Sequence, residues 1–295
     1  MIAEGQRLVR PARAVKSGVN RRSRVPRGKD FVIWVALVCG AVVMTFPLYW
    51  MFATAVRPRN ELFGGGLDLV PSEFVWTNFT DAWGKLPWAA FYFNSIAIAV
   101  FAVAITVFIN LMAGYAFAKY RFRGRDIIFF LMVSTLMVPI QVIQVPEFIV
   151  VAEMGLVNSI WGVVLPRSAE AFGIFLVRQF LVSIPDELLE SARLDGASEF
   201  RIFWSVVLPL CKPVIAVLVI FTFMWRWNDF AWPLVVLQEK AAFTVPLGLN
   251  LAKGLYYTDW TGLMSMTLLS VIPMLVVFII FQRSFVQGIA STGMK

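Results

Sequence analysis

Two groupings of side chains in this sequence could do chemistry. The first is a pair of acid–base couples in apolar surroundings, Arg167 with Glu170 and Arg226 with Asp229, each three residues apart. Residues at that spacing share a helix face, so each couple is expected to neutralise itself on its own helix. That is structural glue rather than proton carriage. The second is an amphiphilic stretch from Ser183 to Gly196 whose acids and arginine suit docking rather than reaction. Little else qualifies. The chain has no His, which removes His-ligated metal sites, serine triads and His proton relays. Gly28-Lys29 and Gly84-Lys85 are followed by Asp30 and Leu86, so neither completes a phosphate-binding loop. There is no Gly-x-Ser-x-Gly nucleophile elbow and no convergent acid pair suited to hydrolysis. Cys39 and Cys211 are far apart and cannot form a zinc site by themselves. The chain is therefore expected to have no catalytic residues, no metal and no cofactor of its own. Any work it does must draw on an ion gradient or a partner subunit.

The elements that must position these groups follow from composition. Of 295 residues, 59% are apolar and only 15% charged. A soluble domain is usually near half apolar and a quarter charged. This balance excludes an ordinary cytoplasmic enzyme and excludes disorder for most of the chain. It predicts an all-α, polytopic membrane protein. A crossing helix needs roughly 20 apolar residues. Six segments meet or approach that length: Phe31–Val56, Ala89–Ala118, Asp126–Val151, Ser159–Leu181, Pro209–Leu237 and Gly262–Ser284. Ala53-Thr54-Ala55 resembles a signal cleavage site, but the apolar run before it is longer than a signal core, so the first segment is read as an uncleaved span.

Charge gives the expected orientation. Nineteen of the 26 Lys and Arg fall in residues 1–30, in Lys119–Arg125, in Val177–Pro213 and after the last span. Five, Arg57, Arg59, Lys85, Lys240 and Lys253, fall on the opposite side. The positive-inside rule then puts both termini in the cytoplasm and the protein in the cytoplasmic (inner) membrane. The net charge of +8 is thus a topology signal beside anionic lipid, not a nucleic-acid arm. Three parts result: a basic cytoplasmic tail over 1–30, a six-helix transmembrane domain over 31–284, and a cytoplasmic tail over 285–295. Three loops face outward: Arg57–Trp88 with the run Gly64-Gly65-Gly66, a short turn over Ala152–Asn158, and Gln238–Thr261, which closes on an aromatic belt at Tyr256-Tyr257-Thr258-Asp259-Trp260.

One cytoplasmic loop is more than a linker. Ser183 followed by Asp186 suggests a capping-box-like start, and Pro185 fits a first helical turn. Leu188, Leu189 and Ala192 are spaced for one face, and Glu187, Glu190 and Arg193 for another. Gly196 is placed to end this helix in the left-handed conformation. A second short helix is expected from Ser198 into Val207-Leu208-Pro209. Amphipathicity alone fits two readings, a bracket that docks into a groove on another protein or a helix lying on the bilayer.

The spacing Glu190-x-Ala192-x-x-x-Gly196, then Val206-x-Leu208-Pro209, resembles the EAA loop of membrane subunits of ATP-binding-cassette (ABC) importers, with Ser191 and Val206 departing from the usual Ala and Ile. Met137-Val138-Pro139-x-Gln141 and Pro146-x-Phe148 resemble the same family's third span. The stretches Gly155-Leu156-x-Asn158-Ser159, Ala171-Phe172-Gly173-x-Phe175-Leu176-x-Arg178-Gln179-Phe180, Trp227-Asn228-Asp229-Phe230-x-Trp232-Pro233-Leu234 and Val245-Pro246-Leu247-Gly248-Leu249 resemble its carbohydrate-uptake branch. So does Phe281-Gln282-Arg283-x-Phe285-x-Gln287-Gly288; Gly293-Met294-Lys295 fits the usual ending only loosely. The likeness is to the six-span second permease of maltose-type systems.

The resemblance implies a type I importer permease fold and a division of labour. A second, different permease shares one translocation path with this chain. Two copies of an ABC ATPase, which bind the ATP, each grip one EAA loop. A periplasmic or extracellular solute-binding protein delivers the sugar. Closure of the ATPases pulls the loops together and opens the path outward, and hydrolysis resets it. It further implies that Glu190, Ala192, Arg193, Asp195 and Gly196, within a coupling loop over 183–209, meet the ATPase, and that Gln238–Thr261, with Gly248 and Gly254 as adaptable points, reaches the binding protein. From residue chemistry, Gln141, Gln144, Trp225, Trp227 and Asn228 are candidates to line the sugar path, with helix packing as the alternative for each. Pro209 and Pro213 should set a defined bend where the fifth span leaves the loop. The main rival function is an ion-coupled secondary carrier of a small polar solute. It would need an inverted repeat and unpaired acids at mid-depth. A membrane-embedded enzyme would need a nucleophile with a base, or clustered acids.

Overall fold

The computed structural model describes residues 28–63, 68–254 and 257–292. Residues 1–27, Gly64-Gly65-Gly66, Tyr256 and Gly293-Met294-Lys295, on which several expectations fall, lie outside them. The described residues hold helices and no strand. The chain divides into two units, residues 1–48 and 49–295. What is described of the first is helix alone: α1 (Gly28–Ala55) begins there, and its apolar side chains from Phe31 to Leu48 are largely exposed. Such a surface suits lipid or another apolar helix rather than water.

The second unit is built on α3 (Trp88–Lys119), an uninterrupted helix of 32 residues. Ala, Ile, Val and Phe dominate it, it has no internal proline, Pro87 stands at its N-cap, and Lys119 sits in its last turn, where a cation meets the helix dipole favourably. Packed along it are α7 (Ala171–Val182) and α11 (Lys212–Trp227), and α14 (Trp260–Thr292) packs on α11. Close approach of α3 and α7 depends on glycine. A Cβ at Gly114 would lie 2.5 Å from Val177 Cγ1, and one at Gly173 2.0 Å from Asn110 Nδ2.

Three expected spans are broken. Asp126–Val151 divides into α4 (Arg125–Ser134) and α5 (Ile140–Glu153), bent by 105°. The cause is local: Val138 precedes Pro139 and is held extended at φ −83°, ψ 119°. Ser159–Leu181 divides into α6 (Ile160–Val164), a 3-10 turn over Leu165–Arg167 and α7, bent by 46°. Pro209–Leu237 is shortened: α11 ends at Trp227, and α12 (Ala231–Val236) follows as a separate short helix. Counting each bent pair as one span restores the six expected, by length and composition. The last helix runs on to Thr292, so residues 285–292 of the expected tail continue it. The two long loops contain helices of their own. Arg57–Trp88 contains α2 (Thr77–Lys85), and Gln238–Thr261 contains α13 (Val245–Ala252).

Apolar burial gathers in three clusters along α3, the middle one joining Ile98 and Ala102 to Val151, Val163, Val164 and Trp232. At the C-terminal end, Leu111 and Tyr115 pack with Val177, Leu181, Leu189, Ile202, Phe203 and Val207. At the N-terminal end, Trp88, Phe91 and Ala99 pack with Phe223, Trp227, Val245 and Met266.

Candidate coupling site

The bracket after α7 consists of α8 (Glu187–Leu194), α9 (Glu199–Ile202), a π-helical turn over Phe203–Val207 and α10 (Leu208–Leu210). Its start differs from the expected capping box. Ser183 Oγ donates to the Phe180 carbonyl, α8 opens only at Glu187, and Pro185 lies ahead of the helix. The reason is competition: the Asp186 carboxylate is taken by Lys119 Nζ at 2.5 Å and is not free to cap. Leu189 is buried and Ala192 half-buried against the core, but Leu188 is 46% exposed, so the apolar face is narrower than the spacing suggested. Gly196 ends α8 at φ +81°, where a Cβ would be strained. Ser198 caps α9 by accepting from the Arg201 N–H. The bracket meets α11 at a 77° bend at Cys211, flanked by Pro209 and Pro213 as expected.

The exposed residues of the bracket include Leu194 (88% exposed) and Phe200 (75%), together with the charged Glu187, Glu190, Arg193, Asp195 and Arg201. Exposed large apolar side chains of this kind suit docking. Of the residues singled out, Glu190 stands exposed in the first turn, and Asp195 is the C-terminal cap residue whose N–H donates to the Ser191 carbonyl at 3.0 Å. Arg193 Nε donates to Glu199 Oε1 at 2.7 Å, which ties α8 to α9.

Two groups that sequence reasoning did not single out hold this bracket in place. Lys119, counted there only as a topology charge, has a buried side chain that donates to the Ile184 carbonyl (2.6 Å) and to Asp186. Tyr120 Oη donates to Glu199 Oε2 at 2.5 Å. Its ring stands edge-on to Tyr115 at 5.3 Å. Electrostatics agree. Lys119 holds the Asp186 carboxyl below its usual range, and Arg193 and Tyr120 do the same for Glu199. Burial, then Glu199, pushes the Tyr120 phenol up. Pairing with Glu199 raises Arg193. No local pattern marks these partners, because Lys119 and Asp186 are 67 residues apart.

The candidate path residues separate on inspection. Gln141 is exposed on α5, and Gln144 Nε2 donates to the Ala231 carbonyl at 3.0 Å, joining α5 to α12. Trp225 is 39% exposed, edge-on to Phe172 at 5.7 Å. Trp227 is 3% exposed, stacks on Phe223 and donates to the Ser270 carbonyl, so it is packed inside the helices. Asn228 Nδ2 donates to the Met224 carbonyl (2.8 Å) and contacts Met274 sulfur (3.4 Å), closing the end of α11. Gly248 lies buried inside α13, where a Cβ would meet the Phe91 ring at 2.4 Å; its smallness serves packing rather than backbone freedom. Gly254 is the adaptable one, at φ +66°.

The two acid–base couples are re-paired. Arg226 bonds Glu170, while Arg167 reaches Asp229 (3.7 Å) and Glu147 (3.6 Å). The expected same-face pairing fails because neither couple lies on a continuous helix: α11 stops between Arg226 and Asp229, and a break separates Arg167 from α7. Both arginines are thereby spent in tying α5, α7, α11 and α12 together, and Arg167 also covers the Trp232 ring at 5.2 Å.

Comparison with known proteins decides the family. The family described as "Binding-protein-dependent transport system inner membrane component" matches residues 106–291. The chain belongs to that family. It is 34% identical over 258 residues, 86% of this chain and 92% of the relative, to the arabinooligosaccharides transport system permease protein AraQ of Bacillus subtilis (strain 168). It is 34% identical over 274 residues, 90% of this chain and 98% of the relative, to the sn-glycerol-3-phosphate transport system permease protein UgpE of Pectobacterium atrosepticum. Among solved structures, a chain of a bacterial ABC transporter that imports the acidic polysaccharide alginate superposes with a TM-score of 0.76 at 26% identity, covering 89% of this chain and 98% of that one. The methionine importer MetNI shares the fold, with a TM-score of 0.50 at 19% identity over 65% of this chain and 91% of that one. This permease subunit is a transporter component, not an enzyme, and family membership brings an ATPase partner and a permease partner.

Proposed function

We propose that this chain is one of two different permease subunits of a sugar importer, with both termini in the cytoplasm. The ABC ATPase dimer docks on the exposed side of the bracket through Glu190, Arg193, Asp195 and Gly196, with Ala192 half-buried beneath them, and it alone binds ATP. A solute-binding protein meets the opposite side of the membrane along Gln238–Thr261, and the sugar passes by Gln141, Gln144, Trp225 and Asn228. The observation that carries this reading is the bracket itself: two short helices locked by Arg193–Glu199, projecting Leu194 and Phe200, and fixed to the spans by a proline-flanked bend. A rigid projection of this kind can move helices, which a slack loop cannot. The sugar class is supported by the relatives named for arabinooligosaccharide and alginate transport. The acids of the spans are engaged with arginine, which speaks against an ion-coupled carrier.

The test is reconstitution of the chain with its second permease, ATPase and binding protein in liposomes. Uptake of a labelled oligosaccharide should require ATP inside the vesicle and the binding protein outside, and should ignore an uncoupler. Uptake that survives without ATP and collapses with the uncoupler would overturn the proposal.

A further inference from the structure

The helix α3 touches both functional ends of the molecule. At its C-terminal end, Lys119 grips the entry to the bracket, through the Ile184 carbonyl and Asp186, and Tyr120 grips the exit, through Glu199. At its N-terminal end, Asn94 Nδ2 donates to the carbonyls of Ala241 (2.9 Å) and Phe243 (3.0 Å), and Ser95 Oγ accepts from the Val245 N–H at 2.8 Å. Phe91 and Trp88 press on Gly248. Every one of those outer partners lies in the segment Gln238–Thr261. Between the two ends, α3 is a helix of 32 residues, about 48 Å at 1.5 Å per residue. Among the described spans it alone has neither a break nor an internal proline. Pro47 lies inside α1 and Pro273 inside α14, and the other three spans are bent by 46° to 105°. An unbroken helix of this length is held by consecutive i to i−4 hydrogen bonds along its whole axis, so its two ends move together.

We propose that α3 is a rod that carries the displacement of the bracket directly to the outer segment Gln238–Thr261, with Lys119 and Tyr120 as the positioning residues that fasten its inner end. This inference rests on the proposed docking of the ATPase on the bracket and of the binding protein on the outer segment. Two mechanical routes then leave the bracket. One passes through the Pro209–Pro213 bend into α11 and moves the path. The other passes through Lys119 and Tyr120 along α3 and links the nucleotide state of the ATPase to the surface presented to the binding protein. The buried Lys119 ammonium makes the inner fastening firm: it has two oxygen partners on the bracket and little access to water. The Tyr120 hydroxyl is joined through Glu199 to Arg193, so that α3, α8 and α9 move as one piece.

The experiment uses the complete importer in nanodiscs. Lys119→Met, Tyr120→Phe and Lys119→Arg are compared with the unmodified chain for ATPase activity with and without liganded binding protein. A photo-crosslinker at Leu194 reports contact with the ATPase in each. Loss of one charged hydrogen bond corresponds to about a tenfold change in the coupled equilibrium. The expected result is about a tenfold fall in binding-protein-stimulated ATPase for Lys119→Met, with unstimulated ATPase and the Leu194 crosslink retained, and recovery in Lys119→Arg. Tyr120→Phe, which removes only an oxygen, should fall in the same direction by less. Spin labels at Leu194 and Leu251 should show a nucleotide-dependent change at the outer label that Lys119→Met abolishes. Unchanged stimulation in Lys119→Met would overturn the rod. Joint loss of stimulation and crosslink in that variant would also overturn it, reducing the fastening to support of the docking surface. Absence of the Leu194 crosslink in the unmodified complex would instead overturn the docking reading beneath it.

Discussion

Gly248→Ala separates two accounts of the outer segment. If Gly248 serves backbone freedom, alanine should be harmless or helpful, because the residue is in a helix and Ala is favoured over Gly there by about 1 kcal/mol. If it serves close packing, the added Cβ is the whole problem. It would sit 2.4 Å and 2.8 Å from two carbons of the Phe91 ring and 3.1 Å from Trp88 Cζ3. Carbon atoms rest at about 3.5–4.0 Å, so the neighbour must retreat by about 1 Å. Phe91 is fully buried and edge-on to Trp88 at 5.6 Å. Trp88 is in turn pinned by its indole N–H on the Ala82 carbonyl at 3.0 Å, so neither ring has room. Overpacking of this kind costs about 1–3 kcal/mol. Set against the helix gain, the net effect is a destabilisation of about 1 kcal/mol, or a fall of about 2–4 °C in the unfolding midpoint. The assay is thermal unfolding of the purified assembled complex followed by tryptophan fluorescence. Gly84→Ala, where a Cβ meets nothing within 4 Å, is the control and should leave the midpoint unchanged or slightly higher. A midpoint that rises in Gly248→Ala would refute the packing argument.

Other outcomes follow from the same reasoning. Gly196→Ala should loosen the bracket by about 1 kcal/mol, since its φ of +81° disfavours a Cβ although the space is open, and amide exchange in 187–202 should quicken while the rest of the chain is unaffected. Arg226→Met strands the Glu170 carboxylate and should cost about 3–5 kcal/mol, read as a sharp loss of folded complex. Arg226→Met combined with Glu170→Gln should recover much of that loss. Asp186 and Glu199 have lowered folded-state pKa values, so their contribution is full above the ordinary carboxyl range and is lost as pH falls below it and through the lower folded-state values. The bracket should therefore hold its amide protection through neutral pH and begin to lose it only below about pH 4; protection already lost between about pH 5 and 7 would contradict the assignment.

What the sequence made legible was local or compositional. Six apolar runs, the bend at Pro209 and Pro213, the left-handed Gly196 and the Ser198 cap are each written within a few neighbouring residues, where spacing and backbone preference act. What it hid depends on groups far apart in the chain. Lys119 meets Asp186 only because α3 and α7 pack through Gly114 and Gly173, and no local pattern announces that encounter. The arginines looked paired at a three-residue spacing, but helix breaks that fall between the members of each couple sent them to other partners. Trp227 was offered as a path residue because an aromatic ring suits sugar equally well as core, and only the Ser270 carbonyl at 2.9 Å decides for packing. Gly248 misled for a related reason, since a glycine needed for contact and one needed for conformation look alike in sequence.

The central claim is that the bracket is the surface on which the nucleotide-driven motor pulls. A photoreactive residue at Leu194, 88% exposed at the tip of α8, tests it most directly in membranes that contain the complete importer. The account predicts a specific crosslink to the ATPase whose yield changes between nucleotide-free and ATP-bound states. A crosslink only to lipid, or none to the ATPase in either state, would contradict it.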